Sequence, residues 1–222
     1  MILVLIPGVV LFGHRTVDGD TEMPYNYQDL TSEEKEQTLE QRRQRGYPLH
    51  GPPHPFRDSG CYLITAANYK HVPVMHSPER RTEFENLLLE AVGRIDQAEI
   101  IGWVVLPNHY HLLIQLETLN HFSLPIKYLH GMTARTWNII DQQTGLRHVW
   151  YKYSDRKIRS ERHFYKTLNY IHYNPVKHGY VADVYAWPWS SMWMYYDNCG
   201  REWLRETWRK YPPENLGDGW DD

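Results

Sequence analysis

The chain has 222 residues, 41% of them hydrophobic and 14% aromatic, which is enough to bury one sizeable core and excludes a wholly disordered protein. Its net charge of −3 argues against a nucleic-acid partner only if the charge is evenly spread, and it is not: residues 127–177 hold ten Lys/Arg against three Asp/Glu, residues 1–55 five against eight, and residues 196–222 four against seven. Two cysteines, Cys61 and Cys199, exclude a disulfide framework and lack zinc-ribbon spacing, so a reducing compartment, most simply the cytoplasm, is expected.

Met1–Phe12 is apolar but falls short of the roughly twenty residues a spanning helix needs. With no Lys/Arg before it and no small-residue cleavage site, it is also a poor signal peptide, and no membrane partner is expected. Met23 offers an alternative start, and residues 1–22 read as an upstream extension. Ser32–Arg45 is dense in Glu, Gln and Arg and reads as a short polar helix, followed by a linker rich in proline from Pro48 to Pro55. The expected organisation is an extension and linker (1–55), a domain from Phe56 to residue 195, and a C-terminal tail (196–222) that reads as loosely structured from residue 201 on.

Within the domain, Cys61–Asn68 is β-rich and predicts the first strand. Ser77 as N-cap and Pro78 at the first helical position open a helix in which Phe84, Leu87, Leu88, Ala91 and Ile95 follow helical spacing. Glu99–Val105 and His111–Leu116 read as the second and third strands, joined through the turn at Leu106-Pro107-Asn108. A second helix over Leu124–Ile140 and an aromatic-rich fourth strand over Arg147–Tyr153 follow. Strand, helix, strand, strand, helix, strand is the ferredoxin-like order: an α+β fold with an antiparallel sheet and helices on one face.

The stretch Trp103–Gln115 organises this domain. His109 and His111 are two apart in an extended run, so their imidazoles share one side while Tyr110 takes the other. That is a metal-ligand spacing, although a solvated strand face shows it too. Further on, Ser160 can cap a helix expected to end near Tyr173, because the residue before Pro175 is pushed away from helical ψ. Winding that helix at about 100° per residue gathers Phe164, Leu168 and Ile171 into a core stripe flanked by Tyr165 and His172. Tyr170 and Asn174 then fall nearly opposite, on an exposed side shared with His163 and Lys166. Beyond it, Trp187, Trp189, Trp193, Tyr195 and Tyr196 read as a tail packing over the core, with base stacking by one or two as the functional alternative.

Taken together, Leu106-Pro-Asn-His-Tyr-His111, Asn169-Tyr-Ile-His-Tyr-Asn-Pro-Val-Lys-His-Gly179 and Trp187-Pro-Trp-Ser-Ser191 resemble the single-tyrosine HUH endonucleases, specifically the REP-associated tyrosine transposases. The resemblance covers roughly residues 56–195 and implies the same ferredoxin-like core. It implies Tyr170 as nucleophile, and His109, His111 and Asn174 as ligands of Mg²⁺ or Mn²⁺. It implies cleavage of single-stranded DNA through a 5′-phosphotyrosine link with release of a 3′-OH, and recognition of short palindromic hairpins. A monomer or a homodimer is compatible with it. The basic run Lys152, Arg156, Lys157, Arg159 and Arg162, interleaved with Trp150, Tyr151 and Tyr153 and continued by Lys166, would draw phosphates and stack bases on the way to the tyrosine.

Two other classes stay open. One is a domesticated protein that grips a hairpin without cutting it. The other is a metal-dependent hydrolase built on the His pair, which would lack a third His or carboxylate at zinc spacing and leave Tyr170 without a role.

Overall fold

The β-rich run after Ser59 forms strand β1 (Gly60–Ala67), a central strand that pairs on both sides. The structure is a computed structural model that describes residues 59–213 and, upstream, residues 31, 33, 36, 37 and 40. The apolar start, the Met23 alternative, the Pro-rich linker, the domain start at Phe56 and the terminal acids lie outside the described residues. The described upstream residues Glu33, Glu36, Gln37 and Glu40 are helical and exposed, and belong to a different unit from residues 59–213.

Within residues 59–213 β1 is followed by helix α1 (Pro78–Gly93), strand β2 (Glu99–Val105), strand β3 (His109–Leu116), helix α2 (Asn120–Ile140), strand β4 (Ser154–Lys157), helix α3 (Glu161–Lys177) and helix α4 (Met192–Lys210). The sheet order is β2-β3-β1-β4 with every pair antiparallel, the ferredoxin-like arrangement that the element order implies. Ser77 caps α1, its Oγ accepting from the Arg80 backbone N–H at 3.2 Å.

Two expectations shift. The fourth strand is not Arg147–Tyr153 but Ser154–Lys157; in the aromatic segment Trp150 and Tyr153 pack against the core while Tyr151 stays exposed. Trp150 stacks on His130 at 4.4 Å and donates Nε1–H to Thr133, leaving only an isolated Asn68–Trp150 bridge to the sheet. The expected tail is also ordered well beyond residue 195: α4 runs to Lys210 with Leu204 and Thr207 buried.

Alternation on β1 and β3 separates two cores. Tyr62, Ile64, Tyr110, Leu112 and Ile114 face α1 and α2, the two helices of the ferredoxin-like unit. Leu63 and Leu113 face the other way, against Phe164, Leu168 and Ile171 of α3. Gly102 lets α3 approach β2: a Cβ there would meet Leu168 Cδ1 at 2.9 Å and Ser191 Oγ at 3.2 Å. The Trp187–Ser191 motif closes the free edge of β2. Val105 N–H donates to the Trp189 carbonyl, Ser191 N–H to the Trp103 carbonyl, and Trp187 Nε1–H to the Val105 carbonyl. Arg81 lies over Trp189 at 3.9 Å and over Trp187 at 5.0 Å, so these rings pack.

Candidate functional site

The strand that follows the Pro-Asn turn starts at His109, two residues earlier than expected, so both histidines are strand residues. They pair with Ala67 and Thr65 of β1 and project to the α3 side, 5.0 Å apart between ring centroids. Each ring is held at Nδ1: His109 by Asn108 Oδ1 and His111 by Thr65 Oγ1, both at 2.8 Å. A hydrogen bond at Nδ1 orients an imidazole and presents Nε2, the arrangement that commonly stands behind a metal-bound histidine.

Helix α3 supplies the opposite wall. Ser160 Oγ accepts from His163 N–H at 3.2 Å at its start. The expected end at Tyr173 is overridden. A proline in the last turn forfeits a single backbone bond, and the true terminator is Gly179, in the left-handed region at φ +70°. Gly179 N–H reaches the Val176 carbonyl at 2.9 Å and Tyr180 N–H the Pro175 carbonyl at 3.0 Å, a complete Schellman motif. The extra turn carries Asn174 on the helix, one turn beyond Tyr170, and puts Lys177 and His178 about two turns beyond it.

Tyr170 is fully buried, not exposed as its helical position opposite the core stripe implied. That side of α3 meets the histidines of β3, whereas α4 and Tyr211 just after it cover another flank of α3: Tyr165 stacks on Tyr211 at 4.9 Å, Asn169 Nδ2–H donates to the Thr207 and Tyr211 carbonyls, and Tyr173 meets Trp208. Tyr170 Oη lies 3.5 Å from His111 Nε2, with ring centroids 5.2 Å apart. His178 sets its ring 5.0 Å from His109, and Lys177 Nζ stands 5.1 Å from the centre of the Tyr170 ring. With Tyr170 on one histidine and His178 on the other, Asn174 lies between these contacts on the same stripe. Its Oδ1 and Nδ2 are buried with no hydrogen-bond partner among the described residues. An amide buried in this way costs about 1–3 kcal/mol until something binds it. Among the described residues no group of three or more His, Cys, Asp or Glu could hold a metal ion. The donor set to consider is therefore two imidazoles and an amide oxygen, neutral ligands that suit a divalent cation.

The basic residues are less uniform. Lys152 is exposed in the loop before β4. Arg156 pairs with Leu63 and so lies on the α3 side, whereas Lys157 pairs with Tyr62 and sets Nζ 6.0 Å from that ring on the far side. Strand alternation thus splits the expected continuous track. Arg159 and Arg162 are exposed around the start of α3, and half-buried Lys166 lies one turn before Tyr170. Burial, with Arg156 and Arg159 nearby, lowers the His163 pKa; its Nδ1 accepts from Arg159 N–H at 3.4 Å. Of the interleaved rings only Tyr151 is exposed. Thr65, Asn108, Lys177 and His178 were not among the residues singled out. The last two were legible only once the helix was carried through Pro175.

A protein of Haemophilus influenzae described as a REP-associated tyrosine transposase is 35% identical over 102 residues, 42% of this chain and 58% of that one. The REP-associated tyrosine transposase of Escherichia coli K12 is 34% identical over 99 residues, 42% of this chain and 53% of that one. Over these stretches the chain is similar to proteins described as REP-associated tyrosine transposases. It spans little more than half the length of these curated relatives. No protein-family model matches the chain. A solved structure of a REP-associated tyrosine transposase bound to a REP hairpin shares its fold, with a TM-score of 0.54 at 21% identity over 68% of this chain and 88% of that one. Among the described residues no helix is long and apolar enough to cross a membrane.

Proposed function

We propose that this chain is a divalent-metal-dependent endonuclease and strand transferase that recognises a hairpin in single-stranded DNA and cuts it with Tyr170. The observation that carries this reading is the meeting of the Tyr170 hydroxyl with His111 Nε2 beside the unsatisfied amide of Asn174, in a chain related to the REP-associated tyrosine transposases. His109, His111 and Asn174 would hold Mg²⁺ or Mn²⁺, which when bound supplies charge to polarise the scissile phosphate. Thr65 and Asn108 keep the two imidazoles oriented. Lys177 Nζ, 5.1 Å from the centre of the Tyr170 ring, would bring a positive charge beside the reacting phosphate. Tyr170 Oη forms a bond to phosphorus as the P–O3′ bond breaks; the phenol loses its proton and the departing oxygen gains one to become a 3′-OH. Attack of a 3′-OH on the phosphotyrosine link reverses the step and rejoins strands, with no nucleotide cofactor. We place this activity in the cytoplasm, in a monomer or homodimer.

The complete burial of Tyr170 favours one alternative, a hairpin binder that no longer cuts, because a strand must first reach the phenol. Tyr170→Phe keeps the ring and removes the nucleophile. On a hairpin oligonucleotide from beside the gene, labelled 3′ of the cut, wild type is expected to give a covalent adduct on a denaturing gel. Tyr173→Phe should retain it. Tyr170→Phe should lower it by at least about a thousandfold, the scale set by nucleophile removal elsewhere. Binding without any wild-type adduct would establish the non-cutting alternative, and an adduct that survives in Tyr170→Phe would reassign the nucleophile.

A further inference from the structure

We infer that Tyr69 and Tyr151, framed by Lys70, His71, His148 and Lys152, form a stacking platform for unpaired nucleobases at the His109 end of the sheet. This rests on the DNA reading above and adds a base-binding subsite to it. Immediately after β1 the chain makes a 3₁₀ turn, Tyr69–His71, in which two consecutive non-glycine residues, Lys70 and His71, take left-handed φ values of 55° and 53°. Each costs free energy that the surroundings must offset, and such strain gathers where a surface is shaped for a ligand. Asn68, itself fully buried, fixes the turn. Its N–H donates to the Asn108 carbonyl at 2.7 Å, its Nδ2–H to the Val149 carbonyl at 3.2 Å, and its carbonyl accepts from His71 N–H at 2.9 Å.

The same backbone frame holds the second ring. Tyr69 N–H donates to the Val149 carbonyl and Tyr151 N–H to the Ala67 carbonyl, at 2.8 and 2.9 Å, so the two rings are carried on bonded neighbours. Their centroids are 4.9 Å apart and tilted by 49°; His148 sits 5.5 Å from Tyr69 and His71 6.1 Å from Tyr151, also tilted. Tyr69 and Tyr151 are 37% and 41% exposed, and neither contributes to a hydrophobic core. Lys70 Nζ lies 5.7 Å from the Tyr69 ring centre, and exposed Lys152 follows Tyr151. Aromatic faces interleaved with cations match the chemistry of a single strand, whose bases stack and whose phosphates are drawn to the charges.

The platform is joined to the metal-side histidine through one residue. Asn108 accepts at Oδ1 from the His109 ring and donates from Nδ2 to the His71 carbonyl at 3.4 Å. His109 itself pairs with Ala67, two residues or roughly 7 Å of extended chain before Tyr69. A base held on the platform therefore flanks the phosphate presented to Tyr170.

The probes are a short oligodeoxythymidylate and a strand of abasic sites of the same length, equal in charge and different only in having bases. Wild type should bind the base-bearing strand about tenfold more tightly, as one or two stacked bases require. Tyr69→Leu with Tyr151→Leu should abolish that preference while leaving affinity for the abasic strand within about twofold. If the double variant fails to fold, each single variant has to lose part of the preference. A folded double variant that keeps the whole preference overturns the platform, as does a wild type without one. Tyr170→Phe protein should show the same preference as wild type. Missing adducts with an intact preference would therefore sink the nuclease reading alone, and normal adducts with no preference would sink this inference alone.

Discussion

The two faces of β3 bury polar groups in opposite ways. On the α1/α2 side Tyr110 is fully buried among Phe84, Trp137 and Trp150, and every polar atom of these rings has a partner: Tyr110 Oη with His130 at 3.1 Å, Trp137 Nε1–H with Glu83, Trp150 Nε1–H with Thr133. On the α3 side, one residue away in each direction, His111 meets Tyr170 and His109 meets His178, and on the same helix the Asn174 amide has no partner among the described residues. Satisfied polarity holds a core in one arrangement, whereas an amide buried without a partner leaves a place that a ligand can fill. The contrast separates two buried tyrosines that composition alone would treat as equals.

The largest effect that tests this contrast is on the His pair. His109→Ala with His111→Ala removes both imidazoles of the reactive face and leaves Tyr110 in place, so adduct formation should fall by more than about a hundredfold while the fold survives, as judged by circular dichroism. Excess chelator should reproduce the loss in wild type. Undiminished adduct in either case would detach the chemistry from a cation.

Stability should respond in opposite directions on the two faces. Tyr110→Phe strands the His130 ring nitrogen and should cost about 1–3 kcal/mol in urea unfolding with adduct formation intact. Asn174→Leu, close in volume, removes two unsatisfied atoms and should stabilise the metal-free protein by a comparable amount while impairing the adduct. A destabilised Asn174→Leu would mean that the amide already has its partner.

How much of this was readable beforehand follows from which forces are local. β2 matched at both ends and α1 began where its Ser-Pro cap required, because capping and alternation act between near neighbours. The His pair declared its shared side through the two-residue period of a strand. What failed was tertiary. Pro175 argued for a helix end, but the Gly179 terminator five residues after Asn174 prevailed. Tyr170 read as exposed because α3 docks on the sheet through a face wider than its apolar stripe, which brings Tyr170 onto His111 of β3. The Arg147–Tyr153 strand gave way to a segment in which Trp150 and Tyr153 pack against the core, contacts that its own residues do not announce.

A smaller effect, common to both faces, appears with pH. Burial drives the pKa of His172 down to about 3, where its Nε2 bonds Ser191 Oγ at 2.9 Å. Its unfolded value is about 6.5, so below that pH the unfolded chain takes up a proton that the folded chain refuses. The contribution is complete above about pH 6.5 and is lost as pH falls toward 3, about 2 kcal/mol between pH 7 and 5. His130, lowered to about 4 by burial on the other face, adds to the loss. His172→Gln should flatten the pH dependence by one proton's worth relative to wild type. Parallel curves would show that His172 is not the neutral buried base described.

The smallest and most local test sets two adjacent cations against each other. Arg156 and Lys157 are neighbours in sequence and alike in charge, but β4 pairs Arg156 with Leu63 on the Tyr170 side and Lys157 with Tyr62 on the α1/α2 side. Net charge changes equally when either becomes Ala, so any difference reports which face the strand follows. Each phosphate contact to a single strand contributes about 0.7 to the slope of log affinity against log salt. Arg156→Ala should reduce that slope by about 0.7 for a single-stranded probe followed by fluorescence anisotropy across a salt series, and Lys157→Ala should leave it unchanged. Equal reductions would mean that DNA is drawn by overall charge. A reduction only in Lys157→Ala would place the strand on the face of the sheet away from Tyr170.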